Sequence, residues 1–120
     1  MTISQRRDRL RQRLVDAELD ALLVSDLVNV RYLSGFTGSN AALLIFAEDE
    51  TPVLATDGRY RTQAAQQSPD AEVVIERACG PCLAGRAAER GVRTLGFESH
   101  VVTVDAFSAL ARAAGDQCDL

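Results

Sequence analysis

Residues Asn29 to Ile45 read N-V-R-Y-L-S-G-F-T-G-S-N-A-A-L-L-I, and three textures follow one another along them. A short segment bearing Tyr32 and Leu33 runs into the polar, glycine-punctuated loop Gly35-Phe36-Thr37-Gly38-Ser39-Asn40, which gives way to Ala41-Ala42-Leu43-Leu44-Ile45, a run that only a core can hold. Glycines three residues apart permit positive φ or close backbone approach, and Thr37, Ser39 and Asn40 add side chains able to bond a ligand or the loop's own backbone. Loops at the rim of a sheet are where sites sit. Spacing alone leaves open a plain helix-to-strand crossover in which Ser39 and Asn40 cap the connection.

Working outward from this stretch, residues 4–17 read as a helix with Ser4 as N-cap. Ile3, Leu10, Leu14 and Ala17 form its inner stripe and its arginines face water. Glu18 stands where a glycine is usual at a helix end. Ala21 to Ser25 is a short apolar run, the pattern of a strand covered on both faces. Ser25 or Asp26 caps a short helix that turns Val28 and Tyr32 inward and ends near Ser34-Gly35. Beyond the loop, Ala41–Phe46 and Pro52–Ala55 make a hairpin through the polar connection at 47–51.

Asp57 is positioned as N-cap of a helix from Gly58 to about Gln67, stopped by Ser68-Pro69-Asp70. Glu72–Glu76 is the next strand. Gly80-Pro81 opens a helix to Arg90, with Gly91 as its stop. Thr94–Phe97 is a strand, and Thr103 caps a last helix whose inner face is Val104, Phe107, Leu110, Ala111 and Ala114, with Val102 stapled onto Phe107. Gln117 to Leu120 looks like the opening of one more strand. Alternating strands and helices after the hairpin predict an α/β domain with a mixed sheet of five or six strands and helices on both faces.

With 120 residues the chain supports one domain with a single core. A hydrophobic fraction of 47% and a charged fraction of 25% are ordinary for a globular protein. All 13 basic residues are Arg; five lie between Arg6 and Arg13, but Asp8, Asp16 and Glu18 interleave or follow them, so a solvated helix face is expected rather than a basic patch. The net charge of −4 argues against a nucleic-acid partner. No run is long and apolar enough for a membrane span or a leader, and three cysteines fit a reducing compartment, so a cytoplasmic location is expected.

Asn29-x-x-Tyr32-Leu33-Ser34-Gly35-Phe36-Thr37-Gly38-Ser39-Asn40-Ala41, followed at the right separation by Thr56-Asp57-Gly58-Arg59-Tyr60-x-x-Gln63-Ala64, resembles the N-terminal domain of the creatinase/prolidase/aminopeptidase P superfamily, in particular bacterial Xaa-Pro dipeptidases and aminopeptidases. The resemblance spans nearly the whole chain. It implies a ribonuclease-H-like domain, residues 1–120, standing before a C-terminal catalytic domain of the same polypeptide that holds two divalent ions (Mn, Co or Zn). It further implies a homodimer in which this domain caps the partner subunit's active site. Arg31, Phe36, Thr37, Ser39 and Asn40 would then touch the peptide substrate, a guanidinium being suited to a peptide carboxylate. The residues also allow Arg31 to pair with Asp26 or Asp57. Asp57, Arg59 and Tyr60 are expected to be structural, with Asp57 capping and Tyr60 packing beneath the loop.

Other chemistries are poorly served. The single histidine, His100, has only Glu98 beside it, too few ligands for a tight metal site, so a capping or surface role is expected for both. Ser39 lies in G-F-T-G-S-N before a strand, not in a nucleophile elbow after one. Cys79-Gly80-Pro81-Cys82 repeats the thioredoxin tetrapeptide at a helix start. Its plain reading is a Gly-Pro helix start between two cysteines; a thiol-disulfide module, or a metal clip with Cys118, is the alternative. A stand-alone small-molecule binding module is the third class. Catalytic residues and metal ligands are expected to be absent from these residues.

Overall fold

In the computed structural model, which describes residues 1–48 and 50–120, five strands form one sheet flanked by helices on both faces. The order along the chain is α1 (Ile3–Asp16), β1 (Ala21–Val24), α2 (Leu27–Ser34), β2 (Ala41–Phe46), β3 (Val53–Thr56), a 3-10 turn (Gly58–Tyr60) leading into α3 (Arg61–Gln67), β4 (Glu72–Ile75), α4 (Cys79–Glu89), β5 (Leu95–Phe97) and α5 (Val104–Ala114). Across the sheet the strands run β4-β3-β2-β1-β5. β2 is antiparallel to β1 and β3, while β3 pairs with β4 and β1 with β5 in parallel. A single inverted strand has a consequence for the site. The C-terminal ends of β1, β3, β4 and β5 and the N-terminal end of β2 lie along one edge, where ligands of open α/β sheets bind.

The alternation of the central strands explains the two layers. Ala42, Leu44 and Phe46 of β2 join Leu23, Val53 and Ala55 against α4 and α5, through Leu83, Ala84, Ala87, Leu110 and Ala114. Leu43 and Ile45 point the other way, with Val24 and Leu54, onto Leu14 of α1, Val30 and Leu33 of α2 and Ala64 of α3. All six residues of β2 are buried, as a strand flanked by two others and covered on both faces must be. β4, at an edge, has none fully buried.

Several expectations are corrected. The first helix is capped by Thr2, not Ser4; Thr2 accepts from the Gln5 amide at 3.1 Å while Gln5 returns a bond to the Thr2 amide at 2.9 Å, a reciprocal box that Ser4 cannot make with its own third neighbour, Arg7. Ala17 is exposed. Glu18 takes the left-handed conformation, φ 60°, in the place of the missing glycine.

Arg7 does not face water. It is 4% exposed, donating to the Leu33 carbonyl at 2.9 Å and pairing with Asp70. On α2 the inner face is Val30, Leu33 and Ser34, so Val28 and Tyr32, four residues apart on the other side, stand 75% and 50% exposed. On α5 only Leu110 and Ala114 are buried, because that helix packs on α4 rather than across the sheet. Val104 and Ala111 face out, and Phe107, 36% exposed, lies against Phe97 with ring centroids 5.2 Å apart.

The hairpin forms as expected, although its connection includes Asp49, outside the described residues. Asp57, Thr103 and Gly91 all act as predicted, Gly91 at φ 80° just past α4. The expected sixth strand is a single parallel bridge of Asp119 to Thr94 beside β5.

Candidate functional site

The Gly35–Asn40 loop leaves the end of α2 and enters β2 along the edge where the parallel strands terminate. Gly35, at φ 84°, is the left-handed stop of α2, and its amide donates to the Arg31 carbonyl at 2.8 Å. The remaining end carbonyls of that helix are met by side chains from distant sequence. Arg6 donates to Tyr32 O at 3.0 Å, Arg7 to Leu33 O, and the Ser68 hydroxyl to Ser34 O at 2.8 Å. Helix termini carry such orphan acceptors by construction, and cationic donors also answer the negative end of the helix dipole.

The other end of α2 is fastened just as firmly. The Glu98 carboxylate, at the end of β5, accepts from the Ser25 amide at 2.6 Å, the Asp26 amide at 2.8 Å and the Asn29 side-chain amide at 2.6 Å. His100 Nε2 and Asp26 Oδ2 lie 2.9 Å apart, and this bond, with the Val28 amide, holds Asp26 below the usual carboxylate range. Glu98 and His100 thus cap and tie α2.

Within the loop each predicted residue has a defined place. Phe36 is 1% exposed and meets Tyr60 edge-on, ring centroids 5.6 Å apart. Gly38 passes directly over that ring. A Cβ there would stand 2.3 Å from Phe36 Cζ, so the second glycine is required by close approach, not by φ. Thr37 is exposed but held: its amide donates to Gln67 Oε1 at 3.0 Å, and Gln63 and Gln67 both donate to its hydroxyl, at 3.1 and 3.0 Å. Ser39 Oγ and Tyr60 Oη are 2.6 Å apart, and this bond draws the Tyr60 hydroxyl below its ordinary pKa.

Asn40 donates to Asp57 Oδ2 at 3.0 Å and to Arg77 O at 3.3 Å, and its own carbonyl accepts from the Thr56 hydroxyl at 2.6 Å. Asp57 caps the 3-10 turn through the Arg59 amide and takes a bidentate bond from the Arg59 guanidinium, 2.9 Å on each oxygen. Arg59, then Asn40, hold its carboxyl well below the usual range. The two motifs quoted from the sequence are therefore one bonded unit. Arg31 stands apart from it. Its two candidate partners are taken, Asp26 by His100 and Asp57 by Arg59, and among the described residues Arg31 is exposed without an ion pair.

The sequence reading missed Gln63 and Gln67 as the loop's clamp and Arg6 and Arg7 as fastenings of α2, and expected a capping or surface role for Glu98 without naming α2 as what it caps. The Gln63/Gln67 spacing of four on one helix face was the available signal for the first pair. Nothing local marks the others, whose partners are 26 to 73 residues away.

The remaining chemistry is weak. Among the described residues no group of three or more His, Cys, Asp or Glu is placed to hold a metal ion, so the residues present do not fit a divalent centre. The three cysteines are free, and burial pushes all three thiols up, Cys79 to about 11. Cys79 Sγ lies 3.2 Å from Glu76 O and 3.7 Å from Asn40 Oδ1, as a protonated donor. A redox nucleophile needs the opposite shift.

Comparison with known proteins agrees with this geometry. Residues 6–120 match the model of the creatinase/prolidase N-terminal domain. The N-terminal domain of the cytoplasmic peptidase PepQ from Mycobacterium tuberculosis H37Rv is 64% identical, TM-score 0.94, over 96% of this chain and 89% of that one. A Xaa-Pro dipeptidase from Bacillus anthracis is 28% identical, TM-score 0.86, over 98% of this chain but 33% of its own. The uncharacterized peptidase YqhT of Bacillus subtilis is 30% identical over 91% of this chain and 31% of its own length. The chain thus spans about a third of the length of that curated relative, and 16% of a second, the Xaa-Pro aminopeptidase app-1 of Caenorhabditis elegans. No helix among the described residues is long and apolar enough to cross a membrane. Fold, bonded motifs and comparisons together place the chain in the creatinase/prolidase N-terminal domain family.

Proposed function

We propose that this domain is the non-catalytic part of a dimeric, metal-dependent Xaa-Pro peptidase, and that its Gly35–Asn40 loop caps the active site of the partner subunit. The reaction, hydrolysis of the bond before proline with two divalent ions, Mn, Co or Zn, is assigned to a further domain of the same polypeptide. No step of it is routed through the residues described here. The observation that carries the reading is the contrast at the loop. The Thr37 amide and the side chains of Thr37, Ser39 and Asn40 are tied to α3 and to the 3-10 turn by Gln63, Gln67, Tyr60 and Asp57, yet Thr37 and Ser39 stay exposed, as does Arg31 on α2. A capping surface needs that combination, because donors held in place lose little freedom when a substrate arrives.

Phe36 acts from beneath, as the packed support over which Gly38 passes. Arg31 is the group suited to the substrate's charged end, since a guanidinium can meet a carboxylate through two parallel bonds. A thiol-disulfide role is not favoured, for the reason given by the Cys79 thiol. The test is a paired turnover assay with Mn²⁺, Co²⁺ or Zn²⁺ and Xaa-Pro dipeptides. The longer polypeptide carrying this domain is expected to hydrolyse them, and the 120-residue chain alone to do nothing above background. Turnover by the purified chain would overturn the assignment.

A further inference from the structure

Cys79-Gly80-Pro81-Cys82 is the sequence motif that the proposed function leaves unused, and it sits against the last residue of the loop, Asn40. Cys79 is the first residue of α4 and Cys82 the fourth, so the two side chains share one face of the first helical turn. Cys79 is 6% exposed, while Cys82 is only partly covered. Cys118 belongs to the opposite edge of the sheet. Asp119 beside it bonds Arg93 and Leu95 at the start of β5, about the length of α4, roughly 15 Å, away. Cys79 and Cys82 are therefore a pair of their own.

The Cys79 thiol has one proton to offer three oxygens. Its Sγ lies 3.2 Å from Glu76 O, 3.6 Å from Arg77 O and 3.7 Å from Asn40 Oδ1. The same Asn40 side chain donates through Nδ2 to Asp57 Oδ2 and Arg77 O, so the amide that joins the two loop motifs is met on its oxygen side by this thiol. Three oxygens favour a neutral S–H over a thiolate, which is why the pair is no exchange catalyst. A disulfide sulfur has no proton to give. Closing the pair would leave Asn40 Oδ1 facing an atom that can only accept.

We infer that Cys79 and Cys82 form a reversible disulfide by exchange with a low-molecular-weight disulfide, and that closure unfastens Asn40. The Cys82 thiolate, the reachable one, attacks one sulfur of the incoming RSSR and expels RS⁻, which takes up a proton and leaves as RSH. Cys79 then gives up its proton and attacks the Cys82 sulfur of the mixed disulfide, breaking that S–S bond and releasing the second RSH. Two protein thiols are oxidised and one RSSR is reduced; excess reducing thiol runs the exchange backwards. Little movement is needed. Helical neighbours at this spacing hold their Cβ atoms roughly 5–6 Å apart, and a disulfide takes roughly 3.5–4.5 Å. The turn that must tighten has no side-chain cap at Ala78 to hold it. That closure alters the capping of a partner's active site rests on the function proposed above; closure and its effect on Asn40 do not.

The test incubates the ¹⁵N-labelled chain with mixtures of reduced and oxidised glutathione. Thiols are counted by alkylation after acid quenching and unfolding, and amide chemical shifts follow the fold. A relative's N-terminal domain 64% identical to this chain is known as an isolated structure, which supports working with the 120 residues alone. As the oxidised share rises, the parent is expected to fall from three alkylatable thiols to one without added glutathione mass, and dithiothreitol to restore all three. Shifts are expected at Asn40, Ala41 and Asp57 as well as at residues 78–83. Cys118→Ala is expected to close like the parent, and Cys82→Ser to keep the reduced shifts at Asn40. Cys79→Ala, which removes the thiol proton without oxidation, is expected to move Asn40 in the same direction as closure; if it does not fold, Cys82→Ser and Cys118→Ala decide the matter. Three thiols at every ratio, a glutathione adduct as the end product, no closure in Cys118→Ala, or Asn40 and Asp57 unmoved by closure would overturn the inference. If the pair closes and Asn40 moves but the chain alone turns over dipeptides, the proposed function fails and the disulfide stands. Three thiols at every ratio in an inert chain reject the disulfide only.

Discussion

Gly38 tests the close packing of the loop at the scale of one atom. A methyl group there would have to displace the Phe36 ring, which is buried and edge-on against Tyr60. Gly38→Ala is therefore expected to cost about 1–3 kcal/mol in denaturant unfolding, and to lengthen or break the Ser39–Tyr60 bond. An unchanged unfolding midpoint would show that the ring has room to shift. Asp57 gives a pH signature. Its folded carboxyl titrates below the ordinary value because Arg59 and Asn40 bond the ionised form. Its contribution is thus complete above the ordinary carboxylate range and is lost as pH falls toward the depressed folded value. Asp57→Asn is expected to lower the thermal midpoint at pH 7 by about 5 °C, and the deficit relative to the parent should shrink as the solution is acidified. A deficit independent of pH would place the effect in the amide's geometry rather than the charge.

At the scale of elements, α2 is an eight-residue helix, too short to persist alone, and its order is supplied from outside. Glu98 closes the N-terminal end with three bonds, and Arg6, Arg7 and Ser68 answer the carbonyls at the other. Glu98→Ala leaves two partly buried amides without that acceptor and is expected to cost about 2–4 kcal/mol. Hydrogen exchange should show the loss first at Val28 to Arg31, and uniform loss across the sheet would contradict a local fastening. What the sequence made legible follows the same division. Asp57, Thr103, Gly35 and Gly91 announced their caps because each acts on backbone within a turn of itself. Arg7 did not, because its partners come from other elements, and Glu98 announced a capping or surface role but not its target, the Ser25 amide 73 residues away. Val28 and Tyr32 were misassigned because an apolar residue on a short helix at the rim of the sheet need not face the core, and Val104 because α5 packs on α4 rather than across the sheet.

For the whole molecule, the decisive feature is that β2 alone is inverted, so the loop before it meets the ends of the parallel strands. The sheet and its layers were readable from alternating strands and helices. The site was readable only as two motifs; that they bond to each other through Asn40–Asp57 and Ser39–Tyr60 is a property of the folded sheet. On this account the domain orients what another domain cleaves, and Arg31 is the residue where orientation is separable from chemistry. The most direct measurement is the steady-state kinetics of Arg31→Met in the longer polypeptide proposed to carry this domain, with a Xaa-Pro dipeptide. The account predicts KM raised about ten-fold, the worth of one charge-assisted contact, with kcat held within about two-fold. An unchanged KM, or a collapse of kcat at unchanged KM, would contradict it.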